Sequence, residues 1–85
     1  MIQDKQKIQH RIKIIKGHVA AIERMIENDK YCVDIVHQSL AVQKALKKLD
    51  QLIMKDHIEH CVVRQAQEGN SEKIAEELLQ IFNYK

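Results

Sequence analysis

Residues 18–68 read HVAAIERMIENDKYCVDIVHQSLAVQKALKKLDQLIMKDHIEHCVVRQAQE, a stretch bracketed by Gly17 and Gly69 that contains neither glycine nor proline. With helix breakers absent and apolar side chains recurring at intervals of three and four, most of it is expected to be α-helical. Cys32, His57 and Cys61 all lie on this stretch. If one helix spans residues 31 to 66, Cys32 and His57 are about 37 Å apart along its axis and cannot meet within one chain. His57 and Cys61, at i and i+4, are neighbours on one helical face. Two thiols and an imidazole are donors for a soft metal, and an antiparallel partner helix would lay Cys32 of one chain beside His57 and Cys61 of the other. Spacing alone leaves a blander alternative open: two buried cysteines and an incidental histidine.

The rest of the chain supplies two shorter helices. Ile8, Ile12, Ile15, Val19, Ile22 and Ile26 follow spacings of four and three, an apolar seam along a first helix over about residues 4 to 28. Gly17 lies inside that helix, where either close packing or a nucleic-acid approach would justify it. Asn28-Asp29-Lys30 is a polar break. The second helix, about 31 to 66, carries Ile35, Val42, Leu46, Leu49 and Ile53 on its apolar face. Gly69-Asn70-Ser71 ends it, with Asn70 or Ser71 available to cap a third helix over about 71 to 82, striped by Ile74, Leu78, Ile81 and Phe82.

No proline, two glycines and three aromatic residues in 85 argue for an all-α fold over one domain, residues 1–85. A monomer this small buries too little surface to be secure, and a second helix about 50 Å long outruns its neighbours. An antiparallel four-helix-bundle dimer with three helices per chain resolves both difficulties. Setting Cys32 against the His57–Cys61 turn places the two-fold axis near Ala41 and Ala45, small enough for close crossing. No apolar run is long enough to span a membrane, and two cysteines without a secretion signal read as cytoplasmic thiols. Charge is uneven: residues 1–48 carry ten basic against five acidic side chains, residues 49–85 four against seven. The basic half suits a polyanion, although a solvated helix face would look the same.

Three segments together, Arg11-Ile12-Lys13-Ile14-Ile15-Lys16-Gly17-His18-Val19, Tyr31-Cys32-Val33-Asp34-Ile35 and Asp56-His57-Ile58-Glu59-His60-Cys61-Val62, resemble the CsoR/RcnR family of metal-sensing bacterial repressors over about residues 5 to 82. The resemblance implies a helical homodimer that assembles into a tetramer, binds double-stranded operator DNA without a helix-turn-helix, and releases it when its inducer binds. The ligand set looks like the copper-sensing one, with Cys32 from one subunit and His57 and Cys61 from the other. Two thiolates and an imidazole also suit three-coordinate Cu(I), whereas structural zinc normally takes a fourth ligand. His60 is a weaker candidate for a fourth, turned away from the His57–Cys61 pair.

The resemblance carries over further roles. Tyr31 and Glu77 stand where copper sensors have a tyrosine and a glutamate supporting the metal-bound imidazole. Arg11 and Lys48 match the family's DNA-contacting positions, with Lys13, Lys16, Lys44 and Lys47 as companions. Ile14 and His18 depart from the basic residue and glutamine common in relatives, which leaves the operator preference open. The N-terminal histidine of nickel and cobalt sensors and the proline of formaldehyde sensors are both missing. Copper-export genes are the expected targets. The competing expectations are a persulfide sensor using Cys32 and Cys61, and a cytosolic copper buffer that does not bind DNA. An enzyme is not expected, since no third group orients a Cys–His pair and no phosphate loop is present. His10, His18 and His37 are expected at the surface or an interface.

Overall fold

The computed structural model describes residues 2–83; Met1, Tyr84 and Lys85, the extreme ends of the expected domain, lie outside them. Helix α1 spans Lys5–Glu27 and α2 spans Cys32–His57. A π-helical turn, Ile58–Val62, continues α2 without a break in backbone direction into α3, Val63–Gln67. Helix α4 covers Ser71–Phe82. The long rod expected over 31 to 66 therefore exists, but it is not α-helical throughout. Its one irregular turn begins directly after His57 and contains Cys61, and π turns inside helices often mark functional sites.

Both reversals are Schellman motifs. At the first, Asp29 N–H bonds to Ile26 O and Lys30 N–H to Met25 O, with Asp29 in the left-handed region at φ 52°, a conformation aspartate tolerates better than most residues. At the second, Gly69 at φ 81° plays the same part, with Gly69 N–H on Ala66 O and Asn70 N–H on Gln65 O. Asn70 does precede α4, yet its side chain makes no capping hydrogen bond. The polar turn, not a cap, starts that helix.

Helices α1 and α2 lie against each other over a short core of Ile8, Ile15, Val42 and Leu49, flanked by Ile22, Ala45 and Ile53. The first seam splits into two series of seven-residue repeats. Ile8, Ile15 and Ile22 turn inward, while Ile12, Val19 and Ile26 are 41%, 49% and 59% exposed. Ala45 packs into the protomer's own core, whereas Ala41 stays open. A Cβ on Gly17 would meet nothing within 4 Å, so packing inside the protomer is not why glycine stands there.

The protomer is a thin plate, 55 × 28 × 13 Å, with a radius of gyration of 17.2 Å; a compact chain of this length would have about 12 Å. One helical diameter sets the short dimension. Among the described residues no large side chain is fully buried, and no residue of α4 is buried at all. Ile12, Val19, Val33, Val36, Leu40 and Leu46 remain open to solvent. No strand occurs among the described residues, and none of their helices is long and apolar enough to cross a membrane.

Candidate functional site

Cys32 and His57 are the first and last residues of the 26-residue α2, which fixes their separation at about 37 Å. Cys32 is exposed; Cys61, on the π turn, is 5% exposed. His57 and Cys61 share a cavity of about 240 Å³ whose other walls are Ile2, Ile53, Met54, Asp56 and Ile81. That cavity is mostly apolar and is covered by α4 through Ile81. Among the described residues of one protomer, no three His, Cys, Asp or Glu side chains converge where a metal could sit. The donor set is thus divided: one imidazole and one buried thiol stand together, and the second thiol is at the other end of the rod.

The donors fit a soft ion in type, and the pair is held by specific neighbours. His57 Nε2 lies 3.8 Å from Glu77 Oε2 on α4, too long for a hydrogen bond but within range of a charge contact if the ring is protonated. Its Nδ1 is not part of that contact. Tyr31 precedes α2 and is 70% exposed, so within a protomer it is as remote from His57 as Cys32 is. His60 lines a separate cavity with Asp4, Lys7, Ile8, Leu52, Lys55, Asp56 and Glu59. It does not line the cavity holding His57 and Cys61.

Asp56 was not among the sequence candidates, yet it is the best-connected side chain near the site. Its Oδ1 accepts the Gln3 N–H at 3.0 Å, and its Oδ2 accepts the Asp4 N–H at 2.9 Å and the Gln3 N–H at 3.2 Å. The carboxylate is 7% exposed. Hydrogen bonds from Asp4 and Gln3 hold its pKa below the ordinary value of 3.8, against burial, which acts to raise it, and nearby His60 adds to the lowering. The residue before His57 thereby fastens the approach to α1. A sequence signal did exist: stepping by seven through Val42 and Leu49 on the inward face arrives at Asp56, and a charged residue at a core position needs a partner.

The basic candidates divide between grooves. Arg11 of α1 and Lys48 of α2 line one cavity of about 270 Å³ with Gln51, Leu52 and Lys55. Lys13 lines a neighbouring groove on α1 with Lys7 and His10. Lys16 and Lys44 are exposed. Lys47 borders a different groove, beside Asp50, Gln80 and Ile81. Lys55 was missed because it lies in the acidic half of the chain, where counting by sequence hides a neighbour in space. His18 meets Gln38, with Nε2 of the amide 3.4 Å from Nδ1 of the ring.

A protein-family model for metal-sensitive transcriptional repressors matches residues 4–84. The chain belongs to that family. As a metal-sensitive repressor family member it is not an enzyme. It is 42% identical over 80 residues to the copper-sensing transcriptional repressor CsoR of Bacillus subtilis (strain 168), covering 94% of this chain and 79% of that one. The copper-sensing repressor RicR of Mycobacterium tuberculosis (strain H37Rv) is 40% identical over 67 residues, covering 79% and 70%. Among solved structures, Cu(I)-bound CsoR from Geobacillus thermodenitrificans NG80-2 superposes with a TM-score of 0.88 at 32% identity, covering 96% of this chain and 85% of the other. The nickel-responsive regulator InrS superposes at 0.78 with 31% identity, covering 98% and 93%. The all-α architecture is therefore shared with structures whose names carry different metals, copper and nickel, so the architecture alone does not select the metal.

Proposed function

We propose that this protein is a Cu(I)-responsive transcriptional repressor that holds operator DNA when metal-free and releases it when copper binds, derepressing copper-export genes. The observation that carries the reading is the division of the donors. His57 and buried Cys61 share one apolar cavity while Cys32 stands exposed at the far end of the same helix, an arrangement that brings these two thiols and the imidazole together only between protomers. The copper-sensing relatives support the choice of metal.

The exposed Ile12, Val19, Ile26, Val36 and Leu40 supply an apolar face for a second copy, and a homodimer assembling to a homotetramer in the cytoplasm is the form proposed. Bound at Cys32, His57 and Cys61, a soft cation draws two thiolates and an imidazole from two chains to one point. His57 keeps its Nε2 toward Glu77, which joins the end of α2 to α4, and Tyr31 of the second protomer arrives beside it with Cys32. Arg11 and Lys48, with Lys13, Lys16 and Lys44, face the phosphates; Lys47 borders the α4 side and contributes least. Since both sites act on one equilibrium, copper and DNA weaken each other's binding by the same factor.

The test is an anaerobic Cu(I) titration of the protein bound to duplex DNA from upstream of its own gene. Release at one Cu(I) per chain, abolished by His57→Ala, is expected. Release by polysulfide but not by Cu(I), undiminished in His57→Ala, would transfer the function to persulfide sensing. Tight Cu(I) binding without any salt-sensitive DNA binding would make the protein a buffer.

A further inference from the structure

The cavity shared by His57 and Cys61 contains a donor that the three-ligand scheme does not use. Met54 lines it, three residues before His57 and seven before Cys61, on the same side of the rod despite the intervening π turn. Its side chain is half-buried and belongs to the same α2 segment, so the position is set by a helix and not by a loop. The cavity beside it has about 240 Å³ of open space. A thioether is a neutral, soft donor that carries no proton; it binds Cu(I) well and offers little to zinc, nickel or magnesium.

From this arrangement we propose that Met54, His57 and Cys61 form a Cu(I) half-site contained in a single protomer. It would hold the ion with one thioether, one imidazole and one thiolate whether or not Cys32 of a second protomer is in reach. Binding removes the thiol proton of Cys61 and involves no change in oxidation state. The inference rests on His57 and Cys61 being ligands, and it adds two consequences. Copper can be accepted before the intersubunit site closes, and the chain is biased toward Cu(I) over harder ions at the first contact.

The test uses the full-length protein with Cu(I) and a competing Cu(I) chelator under anaerobic conditions. The variants are Cys32→Ser, Met54→Leu and the double variant. Leucine conserves volume at a half-buried site, and unchanged helicity by circular dichroism verifies folding. Cys32→Ser is expected to retain one Cu(I) per chain, and adding Met54→Leu is expected to lower its affinity by about 10- to 100-fold, the scale of loss when a group supporting a metal site is removed. Selenomethionine-labelled Cys32→Ser should show a copper–selenium distance by X-ray absorption, and Met54→Leu should erase it, assigning the signal to Met54 and not to Met1 or Met25. Equal Cu(I) affinity of Cys32→Ser and the double variant, or no copper–selenium shell, overturns the half-site. Tight Cu(I) binding that survives His57→Ala and Cys61→Ser in the parent chain overturns the ligand assignment itself, and the half-site with it.

Discussion

Mixing two defective variants should restore copper sites that neither possesses. Take Cys32→Ser and Cys61→Ser, each lacking one thiol, and let their protomers exchange. Helix α2 is 26 residues long with Cys32 and His57 at its ends, a span of about 37 Å that no side chain bridges, so under the proposed scheme each complete site takes Cys32 from one chain and His57 with Cys61 from the other. In a two-fold dimer there are two such sites. A mixed dimer pairs the intact Cys32 of one variant with the intact Cys61 of the other in one of them and ruins the second. Random exchange at equal concentrations makes about half the dimers mixed, so about a quarter of the wild-type number of three-donor sites returns. The assay is Cu(I) retention against a chelator strong enough to strip any site lacking the intersubunit thiol, measured before and after exchange. Retention equal to the average of the separate variants would refute an intersubunit site, because donors within one chain cannot complement one another.

Four further outcomes follow from the same geometry. Asp56→Asn should lower the thermal midpoint at neutral pH, since the amide cannot accept the Gln3 and Asp4 N–H groups as a charged carboxylate does; because the native pKa is depressed below 3.8, the contribution is fully present above that value, and the gap between wild type and variant should close as denaturation is followed down through acid pH. Leu49→Ala, at 7% exposure in the α1–α2 core, should cost about 2 to 5 kcal/mol in chemical denaturation of the assembled protein, and a loss under 1 would mean that core is not formed. Arg11→Ala should weaken binding to every duplex tested and flatten its salt dependence, and unchanged affinity would move the DNA face elsewhere. Glu77→Ala should keep tight Cu(I) binding while blunting copper-dependent DNA release in a mobility-shift titration; undiminished release would remove the α2–α4 link from the mechanism.

The individual helices were legible because their signals are local. Gly69 and the Asn28-Asp29-Lys30 break fall where the rod and α1 end, and both work through backbone conformations that glycine and aspartate tolerate. The π turn was not legible, since Ile58–Val62 contains no residue type that distinguishes a π from an α turn. The apolar seam of α1 looked uniform in one dimension; only packing separated the inward Ile8, Ile15 and Ile22 from the outward Ile12, Val19 and Ile26. Sequence spacing likewise put Lys47 with Lys48, although adjacent helical residues point about 100° apart and the two border different grooves.

By itself the order of residues determined that this chain is helical, that Cys32, His57 and Cys61 are of the donor types a soft ion takes, and that Cys32 and His57 cannot meet within one protomer, because helical rise and turn chemistry depend on near neighbours. Tertiary structure decided which of those donors stand in one cavity, that Met54 and Asp56 belong to the site's surroundings, and that Glu77 reaches His57 while Arg11 stands with Lys48 and Lys55. Those are contacts between residues far apart in the chain, and they exist only once burial of a few isoleucines, a valine and a leucine has pressed one helix against the next.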